Sequence, residues 1–217
     1  MDHRIGHENR LHVRTLIVRA MFVTFEGIDG SGKTTQAELL AEALRAEGRG
    51  VVATREPGGT PLGEQVRKLL LNGADMSAWA EAALFAAARA ELVERVIAPA
   101  LEAGRHVVCD RYIDSSLAYQ GIARGLGVER ILELNLHATE SLLPDRTFLV
   151  LVKPAVAQER SSPTDRIERE GADFHSKVDE AYRSLAAMFP NRITTVDGNR
   201  AAEEVAEEIR GRVRDLS

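Results

Sequence analysis

Residues 27–34 read Gly-Ile-Asp-Gly-Ser-Gly-Lys-Thr. This octet matches G-x-x-x-x-G-K-[ST], the phosphate-binding P-loop. The glycines let the backbone wrap closely round a polyphosphate. Backbone N–H groups and the positive end of a following helix then point at the anion. Lys33 supplies a point charge, and the Thr34 hydroxyl can ligate Mg²⁺. A Gly-rich turn before an ordinary helix is the bland alternative, and the Lys-Thr pair in register argues against it.

Two further segments carry paired charges. One is Thr54-Arg55-Glu56-Pro57-Gly58-Gly59-Thr60; the other is Asp110-Arg111-Tyr112-Ile113-Asp114-Ser115-Ser116-Leu117-Ala118-Tyr119-Gln120. An arginine in such a place can fork onto a phosphate, and a carboxylate can hold Mg²⁺ directly or through water. A single Arg-carboxylate pair reads equally well as a structural ion pair. Two of them at strand ends, beside a P-loop, favour ligand chemistry.

These segments need a frame that brings them to one edge, and the hydrophobic pattern supplies it. An apolar run from Met21 to Glu26 enters the P-loop and a helical pattern, Lys33 to Glu47, leaves it. Short β-like runs follow at Val51–Arg55, His106–Cys109, Thr147–Val152 and Ile193–Val196. They alternate with helical patterns at 61–71, 78–101, 131–142 and 174–188 and with a last helix striped by Val205, Ile209, Val213 and Leu216. Such alternation predicts an α/β fold of the P-loop NTPase kind: a five-stranded parallel sheet with helices on both faces and a short lid. In such sheets ligands bind at the carboxyl ends of the strands, where both charged segments fall.

Composition agrees with a cytoplasmic enzyme. The 217 residues suit one domain with a small lid, and 44% are hydrophobic, enough for a sizeable core. The net charge of −5, without a basic stripe, argues against a nucleic-acid partner. No apolar stretch reaches membrane-spanning length. With Cys109 the only cysteine, no intrachain disulfide can form, and its place in an apolar strand makes it a buried, inert thiol.

Residues 1–20 differ from the rest and read as a poorly ordered extension, or as residues upstream of the true start, ahead of a domain spanning 21–217. They lack the apolar core of a secretory signal. His7-Glu8 followed by His12 has a spacing that puts the two rings on different helix faces, so a zinc site is not expected.

Taken in order, Phe25 to Gln36, Thr54 to Thr60, and Asp110-Arg111-Tyr112 with Ala118-Tyr119-Gln120 resemble the thymidylate kinases of the bacterial type. The resemblance runs from Met21 nearly to the end. It implies phosphorylation of dTMP to dTDP with ATP and Mg²⁺, and a homodimer formed through helices; the Ala-rich segment 78–101 has small residues suited to close packing. It also implies site roles. Gly27, Ile28, Asp29, Gly30, Ser31, Gly32, Lys33, Thr34 and Thr35 hold ATP, while Thr34, Glu56 and Asp110 serve the metal. Arg55 and Arg111 hold the dTMP phosphate, with Asp29 near the acceptor. Phe85 stacks on thymine, Arg89 bonds a thymine oxygen, Ser116, Tyr119 and Gln120 line the nucleoside, and Glu56 belongs to the dTMP site as well as to the metal's. Lys33, Asp29 and Arg111 carry the catalytic burden with a lid arginine.

The lid, at about 158–170, departs from the family pattern. It is about three residues short, its usual run of alternating arginines is gone, and Leu151-Val152-Lys153 stands where an aspartate is usual. Arg160, Arg166 and Arg169 remain as lid cations. Arg166, inside the retained Asp-Arg-Ile-Glu, is the first candidate and Arg160 the second. Two rivals remain. A deoxynucleoside kinase would need a base for a neutral hydroxyl, and Glu56 is the available one. A nucleotide-binding regulatory module would need no catalysis, which the short lid would suit.

Overall fold

Strand β1 (Phe22–Glu26) is buried along its whole length because it lies in the middle of a sheet covered on both sides. The structure, a computed structural model, describes residues 19–160 and 165–215. After β1 come α1 (Lys33–Ala46), β2 (Val51–Arg55), α2 (Pro61–Asn72) and α3 (Ala78–Leu92), then a π-helical turn (Val93–Ile97) that runs into α4 (Ala98–Glu102). Then follow β3 (His106–Asp110), α5 (Ile113–Ser116) with a π-helical continuation (Leu117–Ala123), α6 (Val128–Ala138), β4 (Arg146–Leu151), α7 (Pro154–Arg160), α8 (Ala172–Met188), β5 (Ile193–Asp197) and α9 (Ala202–Arg214).

The strands lie in the order β2-β3-β1-β4-β5 and every neighbouring pair is parallel. Alternation splits the core in two. Val23 and Phe25 meet Leu40 and Leu44 of α1 and Val205, Ile209 and Val213 of α9. Phe22, Val107 and Leu149 face the other layer, with Leu92, Ile97, Ile131, Val178 and Leu185. Because β1 has β3 on one side and β4 on the other, the loops after β1 and β3 share one crevice.

Three elements differ from the sequence reading. The segment 78–101 is not one uninterrupted α-helix. It widens into the π-turn just ahead of Pro99, which has no N–H for the preceding turn. Helix α6 starts earlier, after Gly127, and ends at Ala138, closed by Glu140 and Ser141 at positive φ. The helical stretch 113–123 went unread because its apolar face is interrupted by Asp114, Ser116, Tyr119 and Gln120, all buried here. No helix among the described residues is long and apolar enough to cross a membrane. His7, Glu8 and His12 lie outside the described residues, as does most of the extension.

Candidate active site

The P-loop is held by close backbone contacts. Gly27, at φ 144, would place a Cβ 2.6 Å from the Val150 carbonyl, and Gly30, at φ 77, would drive one into the Ala157 carbonyl. Helix α1 begins at Gly32 with no side-chain cap, so no capping side chain takes the N–H groups of its first turn. The Thr34 hydroxyl donates to Asp110 Oδ2 at the end of β3. Among the described residues, Asp110 Oδ1 and Ser31 Oγ are buried polar atoms without a hydrogen-bond partner. Asp110 lies beside Thr34, the P-loop hydroxyl expected to ligate Mg²⁺.

Asp29 joins two cations. Its Oδ1 accepts from Lys33 Nζ at 3.0 Å and from Arg111 Nη2 at 2.6 Å. Burial alone would raise this carboxyl, but the charges of Arg111 and Lys33 outweigh it and hold Asp29 well below the usual carboxylate range. Burial and the nearby Arg111 lower the Lys33 ammonium from its ordinary value, and Asp29 and Asp110 oppose this only in part. Arg111 adopts φ 69. It also donates to Ser115 Oγ at 3.2 Å and Tyr182 Oη at 3.1 Å, and lies over the Tyr119 ring.

Beside Asp29 and Arg111 opens a cleft of about 580 Å³, counting space open to solvent. Its wall includes Glu56, Phe85, Ser116, Tyr119 and Gln120, which the sequence reading had grouped. Arg67 of α2 also lines it, a residue the reading missed because one arginine on an amphipathic helix looks like a solvated charge. Burial and the neighbouring cations Arg55 and Arg111 disfavour the charge on Arg67. Two guanidiniums on one wall, Arg67 and Arg111, favour an anion between them. Arg55 itself turns to Glu64 at 3.2 Å, is half exposed, and is not part of the cleft wall.

Other expected roles change with the geometry. Arg89 is 1% exposed. Its five N–H groups are engaged by Glu56, Ser116 Oγ, Asn135 Oδ1 and the Tyr112 carbonyl. All five are engaged in this structure, where Arg89 buttresses the wall behind Glu56 and Ser116. Both Glu56 oxygens are bound by the same guanidinium, at 2.6–3.1 Å, and this takes Glu56 away from the metal. Arg166 is also held: Nη2 lies 2.6 Å from Glu81 and Nε 3.0 Å from the Leu70 carbonyl. Its guanidinium is thus held between a buried carboxylate of α3 and the backbone of α2. Arg160, at the end of α7, donates to the Gly198 carbonyl at 3.1 Å. Gly198 in turn abuts the P-loop, where a Cβ would lie 2.9 Å from the Ser31 carbonyl. Of the two lid arginines, Arg160 is thus the one whose partner abuts the P-loop.

A buried group behind Arg111 was also missed. Glu26 Oε1 accepts from the amides of Tyr112 and Ser115, and Oε2 from the hydroxyls of Ser115 and Tyr182. These hydroxyls are the ones that hold Arg111. Burial and the charge of Asp114 push Glu26 up to about 7. As the last residue of an apolar strand it gave no signal of its own.

Comparison with known proteins gives the family of the chain. The family model for thymidylate kinase matches residues 25–209. A thymidylate kinase of Symbiobacterium thermophilum is 49% identical over 201 residues, covering 91% of this chain and 94% of its own. One from Bifidobacterium longum (strain DJO10A) is 49% identical over 203 residues, covering 91% and 98%. The crystal structure of thymidylate kinase from Ehrlichia chaffeensis superposes with a TM-score of 0.75 at 35% identity, covering 90% of this chain and 98% of that one. The P-loop, the shared carboxylate of Asp29 and the arginine-lined cleft thus sit in a chain that belongs to the thymidylate kinase family.

Proposed function

We propose that this protein transfers the γ-phosphate of ATP to dTMP, giving dTDP and ADP. One observation carries the reading: Lys33 and Arg111 donate to a single oxygen of Asp29. Lys33 belongs to the loop that cradles the donor phosphates, and Arg111 faces the acceptor cleft. Asp29 fixes both cations within one hydrogen bond of a common atom, so two phosphates bound to them are brought together. The acceptor is a phosphate already ionised near neutral pH, so its oxygen attacks without a general base. Catalysis is then positioning and charge neutralisation.

The P-loop amides and Lys33 hold the donor, and Arg111 with Arg67 holds the acceptor phosphate, flanked by Arg55. Phe85, Ser116, Tyr119 and Gln120 surround the nucleoside. Thr34 and the unpartnered Asp110 Oδ1 suit Mg²⁺, which takes one or two protein oxygens together with substrate phosphates and water. Bound there, the ion neutralises phosphate charge. Arg160 is the lid cation whose backbone partner, Gly198, abuts the P-loop. A deoxynucleoside kinase is disfavoured because its candidate base, Glu56, is locked by Arg89. The cytoplasmic homodimer also stands as part of this proposal. Ala83 and Ala87 are exposed on α3, and Leu62 and Leu69 on the adjoining α2. An ADP-release assay with dTMP, dUMP, thymidine and no acceptor tests the reading. dTMP should be fastest, dUMP poorer and thymidine inert; faster turnover of thymidine overturns it.

A further inference from the structure

Glu81 of α3 is 1% exposed, yet it lies outside the machinery described so far. Three side chains from two other segments converge on its carboxylate. Gln120 Nε2 donates to Oε1 at 2.9 Å. Arg124 donates to Oε1 and Oε2, each at 3.2 Å. Arg166 donates to Oε2 at 2.6 Å. Burial alone would raise the carboxyl, but these donors outweigh it and hold Glu81 below its ordinary value, so it is ionised and only accepts.

That restriction fixes Gln120. A primary amide has one accepting and one donating end, and turning it over exchanges them. Facing a carboxylate, only the NH₂ end is tolerated, because the other way round two acceptors oppose each other. The amide oxygen is left as the second polar group of a residue that lines the acceptor cleft beside Phe85 and Ser116. The lock on the NH₂ end gives this oxygen a fixed sense.

We infer that Glu81 is a positioning residue for base selection: it locks the Gln120 amide so that its oxygen accepts a ring N–H from the pyrimidine. Thymine and uracil carry a hydrogen on N3, and cytosine has a bare acceptor there. Cytosine would confront the Gln120 oxygen acceptor to acceptor, and the amide cannot turn over to relieve this while Glu81 is ionised and held by Arg124 and Arg166. The inference rests on dTMP as the acceptor and names the residue that enforces the choice of pyrimidine.

The test is the ratio of kcat/KM for dTMP to that for dCMP, in wild type and in Glu81→Gln. A glutamine at 81 can offer Gln120 either end of its own amide, so the lock is lost. The ratio should fall about tenfold or more, the size of effect expected when one mismatched buried polar contact is relieved. If both substrates lose activity equally and the ratio is unchanged, Glu81 is only structural and the inference fails. If Glu81→Gln does not fold, Gln120→Leu leaves Glu81 with both arginines and removes the reading oxygen. Its ratio should fall likewise, and an unchanged ratio there also overturns the inference. A wild-type enzyme inactive on dTMP fails the underlying reading; one active on dTMP with an unchanged ratio in the variants fails this inference alone.

Discussion

Arg111, at the end of β3, donates to Asp29 of the P-loop across 2.6 Å. This ion pair joins the two halves of the site. It ties the acceptor side of the crevice to the loop that carries Lys33, and both sides are fixed before substrate arrives.

Lys33→Ala removes the cation that follows the γ-phosphate. Turnover should fall on the order of 10²-fold or more, as for other lost donors of transition-state charge. Asp29 keeps Arg111 as a partner, so the thermal midpoint should change little. A variant that retains half its activity would remove Lys33 from the mechanism; steady-state kinetics and calorimetry read both quantities.

The two lid arginines should separate cleanly. Arg160→Ala should lower kcat by about 10³-fold, the lower end for a cation meeting a transferred phosphoryl group, with little change in KM. Arg166→Ala should act on stability, costing roughly 1–3 kcal/mol for a partner lost to buried Glu81, with a smaller loss of kcat. Urea unfolding and kinetics on both variants decide this; a reversed pattern would restore Arg166 as the mobile cation.

These contrasts mark where the chain is legible in advance. The P-loop could be read because its chemistry is local: glycines for a tight loop, then Lys33 and Thr34 at the head of one helix. The parallel sheet could be read because its strands are short runs rich in apolar and β-branched residues, alternating with helical patterns. Partner choice among the charges could not. Arg89 meets Glu56 across 33 positions and Arg166 meets Glu81 across 85, and nothing in either neighbourhood says which way an arginine turns. Phosphate-seeking and carboxylate-bound arginines look alike until the fold brings the carboxylate. Arg67 and Glu26 stayed hidden for the converse reason, since their surroundings come from distant segments.

Glu26 gives a pH dependence of unusual sign. Its carboxyl, ordinarily at 4.5, is pushed up to about 7 by burial and by Asp114. The folded chain therefore keeps this proton to higher pH than the unfolded chain. Its contribution to stability should fall as pH rises from about 4.5 to about 7, by up to roughly 3 kcal/mol, and then level off. Glu26→Gln should abolish that slope while folding normally. Its oxygen can accept the Tyr112 and Ser115 amides and its NH₂ can donate to the two hydroxyls. Denaturant unfolding at pH 5 and pH 7.5 compares the two proteins, and equal slopes would contradict the assignment.

A chain starting at Met21 should fold with unchanged activity. Upstream of it, the described contact is Arg19 with Asp145 at 3.0 Å, and the Arg19 side chain is 82% exposed. Such surface pairs contribute little. Asp145 retains the Phe22 amide at 2.8 Å without it. Loss of solubility or turnover on truncation would make residues 1–20 structural.

The central claim is that a phosphoryl group passes from ATP to the phosphate of dTMP. Phosphorus NMR of ATP, dTMP and Mg²⁺ with a catalytic amount of the protein follows both nucleotides at once. The account predicts that the β-phosphorus of dTDP grows in step with ADP and that the dTMP signal is consumed without release of inorganic phosphate. An untouched dTMP signal, whether ATP persists or is hydrolysed to ADP and phosphate, would contradict it.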